Sequence, residues 1–119
     1  MITDKLRQTL ATKLKEAILS GQIGQGGNST SPLANTLDVP ITGITVTKSV
    51  EKTTENVIQV KMEILGTDIT GLVIREAGLF DHADATHSDA NLLQRINFEG
   101  VGPFSASERL QIFITMEVE

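Results

Sequence analysis

Several residue types are missing or scarce in this chain, and each shortage removes a class of function. Of its 119 residues none is cysteine, which excludes disulfides, thiolate metal sites and thiol nucleophiles. Tyrosine and tryptophan are also absent, and four phenylalanines are the whole aromatic complement. Surfaces that read carbohydrate, single-stranded nucleic acid or flat small molecules lean on Tyr and Trp for amphipathic contact, so no small-molecule substrate is expected. Basic charge is short as well. Ten Lys and Arg stand against fifteen Asp and Glu, a net charge of −5, which argues against nucleic acid as a partner. No apolar run approaches the roughly 18 residues of a membrane span. The start, Met1 to Arg7, lacks the apolar core of a secretory signal. Synthesis and residence in a cytoplasm-like compartment are therefore expected, and Asn28-Ser29-Thr30, though shaped like a glycosylation acceptor, carries no weight there.

What is present centres on Leu72 to Asp81, L-V-I-R-E-A-G-L-F-D. Leu72, Ile74 and Phe80 fall on one side of a two-residue period and Val73, Ala77 and Leu79 on the other. That predicts a central strand covered on both faces, with Arg75 and Glu76 pointing to opposite sides. A charge in such a strand needs a partner. A buried or interfacial ion-pair network is the expectation, because removing one member of such a pair is costly.

Before this stretch, residues 4–19 read as a helix with Thr3 as N-cap and Gly21 as the C-terminal stop. Leu6, Leu10, Leu14 and Ile18 form an apolar stripe. It either packs on the protein's own sheet or docks on a neighbouring subunit, and these four are the candidate subunit interface. Residues 21–40 form a long polar loop with a short edge strand near Ile23. Loops of that length are often functional. Ile44, Val46 and Val50, with Lys48 breaking the register, and then Ile58, Val60, Met62 and Ile64, predict an antiparallel hairpin. Leu92 to Glu99 and Leu110 to Val118 predict two further strands around the polar loops 82–91 and 100–108. One helix and at least five strands without βαβ alternation give a mainly β protein. The expected architecture is an antiparallel β-sandwich with one N-terminal α-helix, in a single domain over 1–119 (helical segment 1–20, loop 21–40, body 41–119).

The chain is poor in candidate chemistry. Glycines at 21, 24, 26 and 27 fit neither G-x-G-x-x-G nor a Walker loop. No serine sits in a G-x-S-x-G elbow. Arg75 and Glu76 could act catalytically in principle, but a central strand favours a structural role. Asp81, His82, Asp84, His87 and Asp89 are the one cluster of metal-ligand types, and their spacing matches neither a zinc pattern nor an EF-hand. A solvated loop is the plainer reading. No catalytic, cofactor-binding or metal residue is therefore assigned, and the expectation is a non-enzyme without cofactors.

I-R-E-A-G-L-F-D (Ile74 to Asp81), then a loop, then L-L-Q-R-I-N-F (Leu92 to Phe98) resembles a family of small structural proteins of tailed bacteriophages. Those carry I-R-E-x-G-L-F/Y-D, a loop and L-L-A-R-x-x-F, followed by an alternating terminal strand like Leu110 to Val118. Ile23 to Gly26 and Ser31-Pro32-Leu33-Ala34-Asn35 are similar to their upstream I-G-x-G and L-A-N segments. The resemblance covers roughly residues 22–119. Two departures stand out: Gln25 where a small residue is usual, and an 81–91 loop that is longer and lacks an Asp-Gly turn. The resemblance implies a virion protein of the tail fibre, collar, neck or baseplate, made in the host cytoplasm. It also implies other virion proteins as partners and a homo-oligomeric state. Arg75, Glu76, Gly78, Phe80 and Asp81 are its structural motif. A capsid decoration protein with the same body is the alternative, and a metal-dependent binding module using His82 and His87 a third.

Overall fold

Alternation decides most of the architecture. In the computed structural model, which describes residues 1–27 and 35–118, Ile58, Val60, Met62 and Ile64 are fully buried while their neighbours face outward. They belong to β3 (Val57–Leu65), which is flanked by β2 (Thr47–Lys52) and β6 (Arg109–Glu117) in an antiparallel sheet of order β2-β3-β6. The second sheet has order β1-β4-β5, with β4 (Ile74–Phe80) between β1 (Ser20–Gly24) and β5 (Leu92–Val101), again antiparallel. Ile23, Ala77 and Leu79 of one sheet meet Val60, Met62 and Ile114 of the other in a common core. The molecule is an antiparallel β-sandwich with one N-terminal helix. The hairpin and the two later strands form as the periodicity predicts, and the short edge strand expected near Ile23 forms as well.

The helix, α1, spans Asp4–Ala17, and the Thr3 side chain accepts from the Leu6 N–H at 3.3 Å. It ends earlier than expected. Ile18 is the C-cap, with extended backbone, and Gly21 lies inside β1 rather than stopping the helix. The 1–20 boundary shifts accordingly: the strand expected near Ile23 is β1, and it begins at Ser20, inside the segment assigned to the helix. Lys48, which broke the strand pattern, explains itself at this junction. It is half-buried, and its Nζ donates to the Ile18 carbonyl at 3.0 Å. A lysine among apolar residues thus satisfies an orphan carbonyl at the helix end.

The leucine stripe divides. Ala11 and Ile18 are buried in the core and Leu14 packs against it, with α1 lying against β2 and β3. Leu6 and Leu10 remain 44 % exposed. Gln8 Nε2 ties the helix to the β2–β3 turn through Glu55 Oε2 at 2.6 Å. Leu10→Asp is accordingly expected to change stability by no more than about 0.5 kcal/mol, as for other surface sites. Ala11→Asp buries an unpaired carboxylate and should cost on the order of 3 kcal/mol. Urea unfolding of the two variants measures both.

Two face assignments in the central stretch are corrected. Ile74 is buried in the core with Ala77 and Leu79, and Leu72 packs against that core, so neither shares the face of Phe80. A register irregularity between Ile74 and Glu76 changes the alternation there, since a bulge turns the following side chains to the other face. Arg75 and Glu76 do diverge: Arg75 is exposed and Glu76 is fully buried. Among the described residues no helix is long and apolar enough to cross a membrane.

Candidate functional site

Glu76 sits at the middle of β4, on the face turned away from the other sheet. Segment 35–40 lies over that face. The Glu76 carboxylate collects backbone donors from both ends of the 25–40 connection. Oε2 accepts from Gly26 N and Val39 N, and Oε1 from Asp38 N, each at 2.8 Å. The partners expected for this residue were side-chain charges across the sheet or across a subunit boundary. The structure supplies main-chain amides of its own loop. No ion pair of Arg75 or Glu76 exists among the described residues, so the network expectation is replaced by a carboxylate clamp.

The glycines flanking Gln25 make room for it. A Cβ on Gly24 would lie 2.6 Å from Glu76 Oε2 and 2.6 Å from the Val39 carbonyl oxygen. On Gly26 it would lie 2.7 Å from the same carboxylate oxygen and 2.5 Å from Asp38 Cβ. Both are closer than real side-chain carbons approach. The I-G-x-G spacing is therefore a steric requirement of the clamp rather than a phosphate cradle. Gln25 itself continues the pairing, its N–H donating to the Val39 carbonyl at 2.9 Å.

Further contacts fasten the same segment. Arg95, on β5 opposite Gly78, donates through Nη1 to Asp38 Oδ1 at 3.3 Å and through Nη2 to the Thr36 carbonyl. Asn35 accepts from the Leu92 N–H at 3.1 Å and donates to the Ala90 carbonyl at 3.3 Å. Leu37 is buried, and a side chain at Gly78 would collide with it and with Leu92. Phe80, also fully buried, completes this outer packing. The residues sequence reasoning passed over are Asp38, Thr36 and Leu37. The one available signal was the pair of glycines two apart at a strand end, which marks close approach of another backbone. Asn28-Ser29-Thr30 and Ser31 to Ala34 lie outside the described residues.

Asp81 closes the next loop. Its carboxylate accepts from the Asn91 N–H at 2.7 Å and from Asn91 Nδ2 at 3.0 Å, and its own N–H donates to the Asn91 carbonyl at 3.2 Å. The Asn91 backbone and side-chain donors hold the Asp81 carboxyl below its ordinary value of 3.8. Because those bonds favour the ionised form, their support is fully present above the ordinary value. It is lost as pH falls through the lowered one. The Asn91 amide resonance should therefore stay unchanged down to about pH 5 and move only as the solution falls below the usual carboxylate range. Asp81→Asn should abolish that transition. A shift centred above the ordinary value would contradict the assignment.

Within this loop His82 and His87 stack, ring centroids 4.1 Å apart and 12° from parallel. Each Nδ1 accepts a backbone N–H, from Asp84 and Asp89 respectively, both at 3.0 Å. The Asp84 carboxylate turns inward to the Thr86 N–H and hydroxyl at 2.9 and 2.7 Å. The lone pairs a metal would use at Nδ1 are thus engaged. No group of three or more His, Asp or Glu side chains converges among the described residues.

Leu6 and Leu10 of the candidate interface lie outside this site, on the helix, and the motif residues Glu76, Gly78, Phe80 and Asp81 lie within it. Arg75 does not join them: its side chain faces solvent while its carbonyl packs under Gly27. What the arrangement can do is mechanical. It holds both feet of a long connection against one face of the sandwich. No protein-family model and no curated protein sequence matches this chain.

Proposed function

We propose that this protein is a non-enzymatic structural component of a tailed-bacteriophage virion. It serves as an adaptor or base component of the tail fibre, collar, neck or baseplate, assembled in several symmetric copies with other virion proteins. The clamp is the observation that carries this reading. The motif that resembles phage structural proteins spends its polar groups on construction: Glu76 on three main-chain amides and Asp81 on Asn91. Gly78 and Phe80 are buried in packing. A motif used in this way belongs to a scaffold that presents a loop, and reaction chemistry needs polar groups aimed at a ligand. Leu6 and Leu10, half-exposed on α1, add an apolar surface suited to a neighbour in an assembly.

Quantitative mass spectrometry of particles purified from cells carrying the gene tests the proposal. Tens of copies per particle support a tail or neck position, whereas hundreds favour the capsid decoration alternative. Absence from washed particles rejects both.

A further inference from the structure

The outer edge of β6 stands apart from the other strand edges. The free side of β1 is taken by Pro40 and Ile41. The helix lies beside β2, and the β4–β5 pairing is interrupted at two register irregularities. β6 pairs with β3 alone, in unbroken register from Val57↔Glu117 to Leu65↔Arg109. No backbone hydrogen bond from a described residue reaches its other side. Its sequence, R-L-Q-I-F-I-T-M-E, contains no proline, glycine or lysine, the residues that ordinarily blunt such an edge. At its centre Phe113 is 55 % exposed, among the described residues the most exposed large apolar side chain after Met1.

We propose that β6 pairs antiparallel with β6 of a second copy of this chain, about a two-fold axis at Phe113. The strand is palindromic in residue type about that position. On the outer face Phe113 meets Phe113, Gln111 meets Thr115, and Arg109 meets Glu117 of the second copy. On the core face Ile112 meets Ile114, and Leu110 meets Met116. Every apolar side chain faces an apolar one, and each of the two charges finds its opposite. Sliding by two residues in either direction leaves a charge facing a neutral side chain. Sliding by one sets the core face of one copy against the polar face of the other. Arg109 already contacts Glu63 on its own β3 at 3.3 Å, so its guanidinium would lie between two carboxylates. Glu117 has no ion-pair partner among the described residues. The product is a continuous six-stranded sheet, β2-β3-β6-β6-β3-β2, closed by an isologous interface.

This inference deepens the symmetric-copies part of the proposed function but stands on the strand itself. A monomer in solution overturns it while particle composition still decides the virion reading. Sedimentation of the full chain at high micromolar concentration should give twice the 12.8 kDa chain mass. Because the chain has no cysteine, Phe113→Cys offers one thiol per chain. On mild oxidation it should form a covalent dimer, and a Ser49→Cys control on β2 should stay monomeric. Arg109→Glu and Glu117→Arg each place two like-charge pairs across the interface and should weaken association by about tenfold. The double exchange should restore it. A monomeric mass, equal cross-linking of the two cysteine variants, or a double exchange no tighter than the singles overturns the pairing.

Discussion

Glu76→Ala is expected to lower stability by roughly 3–5 kcal/mol, since three backbone donors lose their common acceptor and each unsatisfied buried donor costs about 1–3 kcal/mol. Water reaching the partly buried Asp38 and Val39 amides keeps the total below the simple sum. Glu76→Gln should cost less, because one carbonyl oxygen survives while the new NH2 faces donors it cannot accept from. Urea unfolding measures the totals, and amide exchange locates them. Protection should be lost first at Gly26, Asp38 and Val39, with β3 protected until global unfolding. A variant as stable as the parent, with those three amides still protected, would remove the clamp from the account of the fold.

Gly26→Ala attacks the same contact from the opposite side. Its Cβ would lie 2.7 Å from Glu76 Oε2, 2.5 Å from Asp38 Cβ and 3.1 Å from Val39 N. The loop has to lift or the carboxylate has to leave its donors. Either outcome should cost about 2–4 kcal/mol, as for other overpacked or unsatisfied buried sites. The informative measurement is the double variant with Glu76→Ala. If the glycine is there to admit the carboxylate, the second substitution adds little once the first has been made, a coupling of about 1–3 kcal/mol. Strict additivity would mean that Gly26 is required by the backbone around Asp38 alone.

These two residues also show where sequence reading stopped. The alternation in β3 and β6 was legible because burial imposes a period on side-chain type, and the Thr3 cap because its side-chain oxygen can accept a helix-end N–H. So was the divergence of Arg75 and Glu76. Glu76's partners were not, because three of them are main-chain N–H groups, which leave no mark on the residue type that carries them. A buried carboxylate sends the reader to the arginines, and the nearest in sequence, Arg75, faces solvent. The arginine that does reach the loop, Arg95, holds Asp38 and the Thr36 carbonyl instead. Lys48 stood outside the alternation for a related reason, since the strand pattern has no term for a helix end arriving beside it. Ile74 changed face because a register irregularity is a property of two strands together, and neither carries it alone.

The clamp has a consequence for how such a chain can diversify. Gly26 and Asp38 answer to the same carboxylate, so the two places where the connection leaves and rejoins the body are held at a fixed spacing by β4. With both ends held, each doubling of the length of such a connection costs a closure entropy of about 0.6 kcal/mol. The clamp therefore fixes where the connection joins the body, whatever its length. A lineage that changes the number of residues joining Gly26 to Asp38 keeps the same two attachment points on the fold.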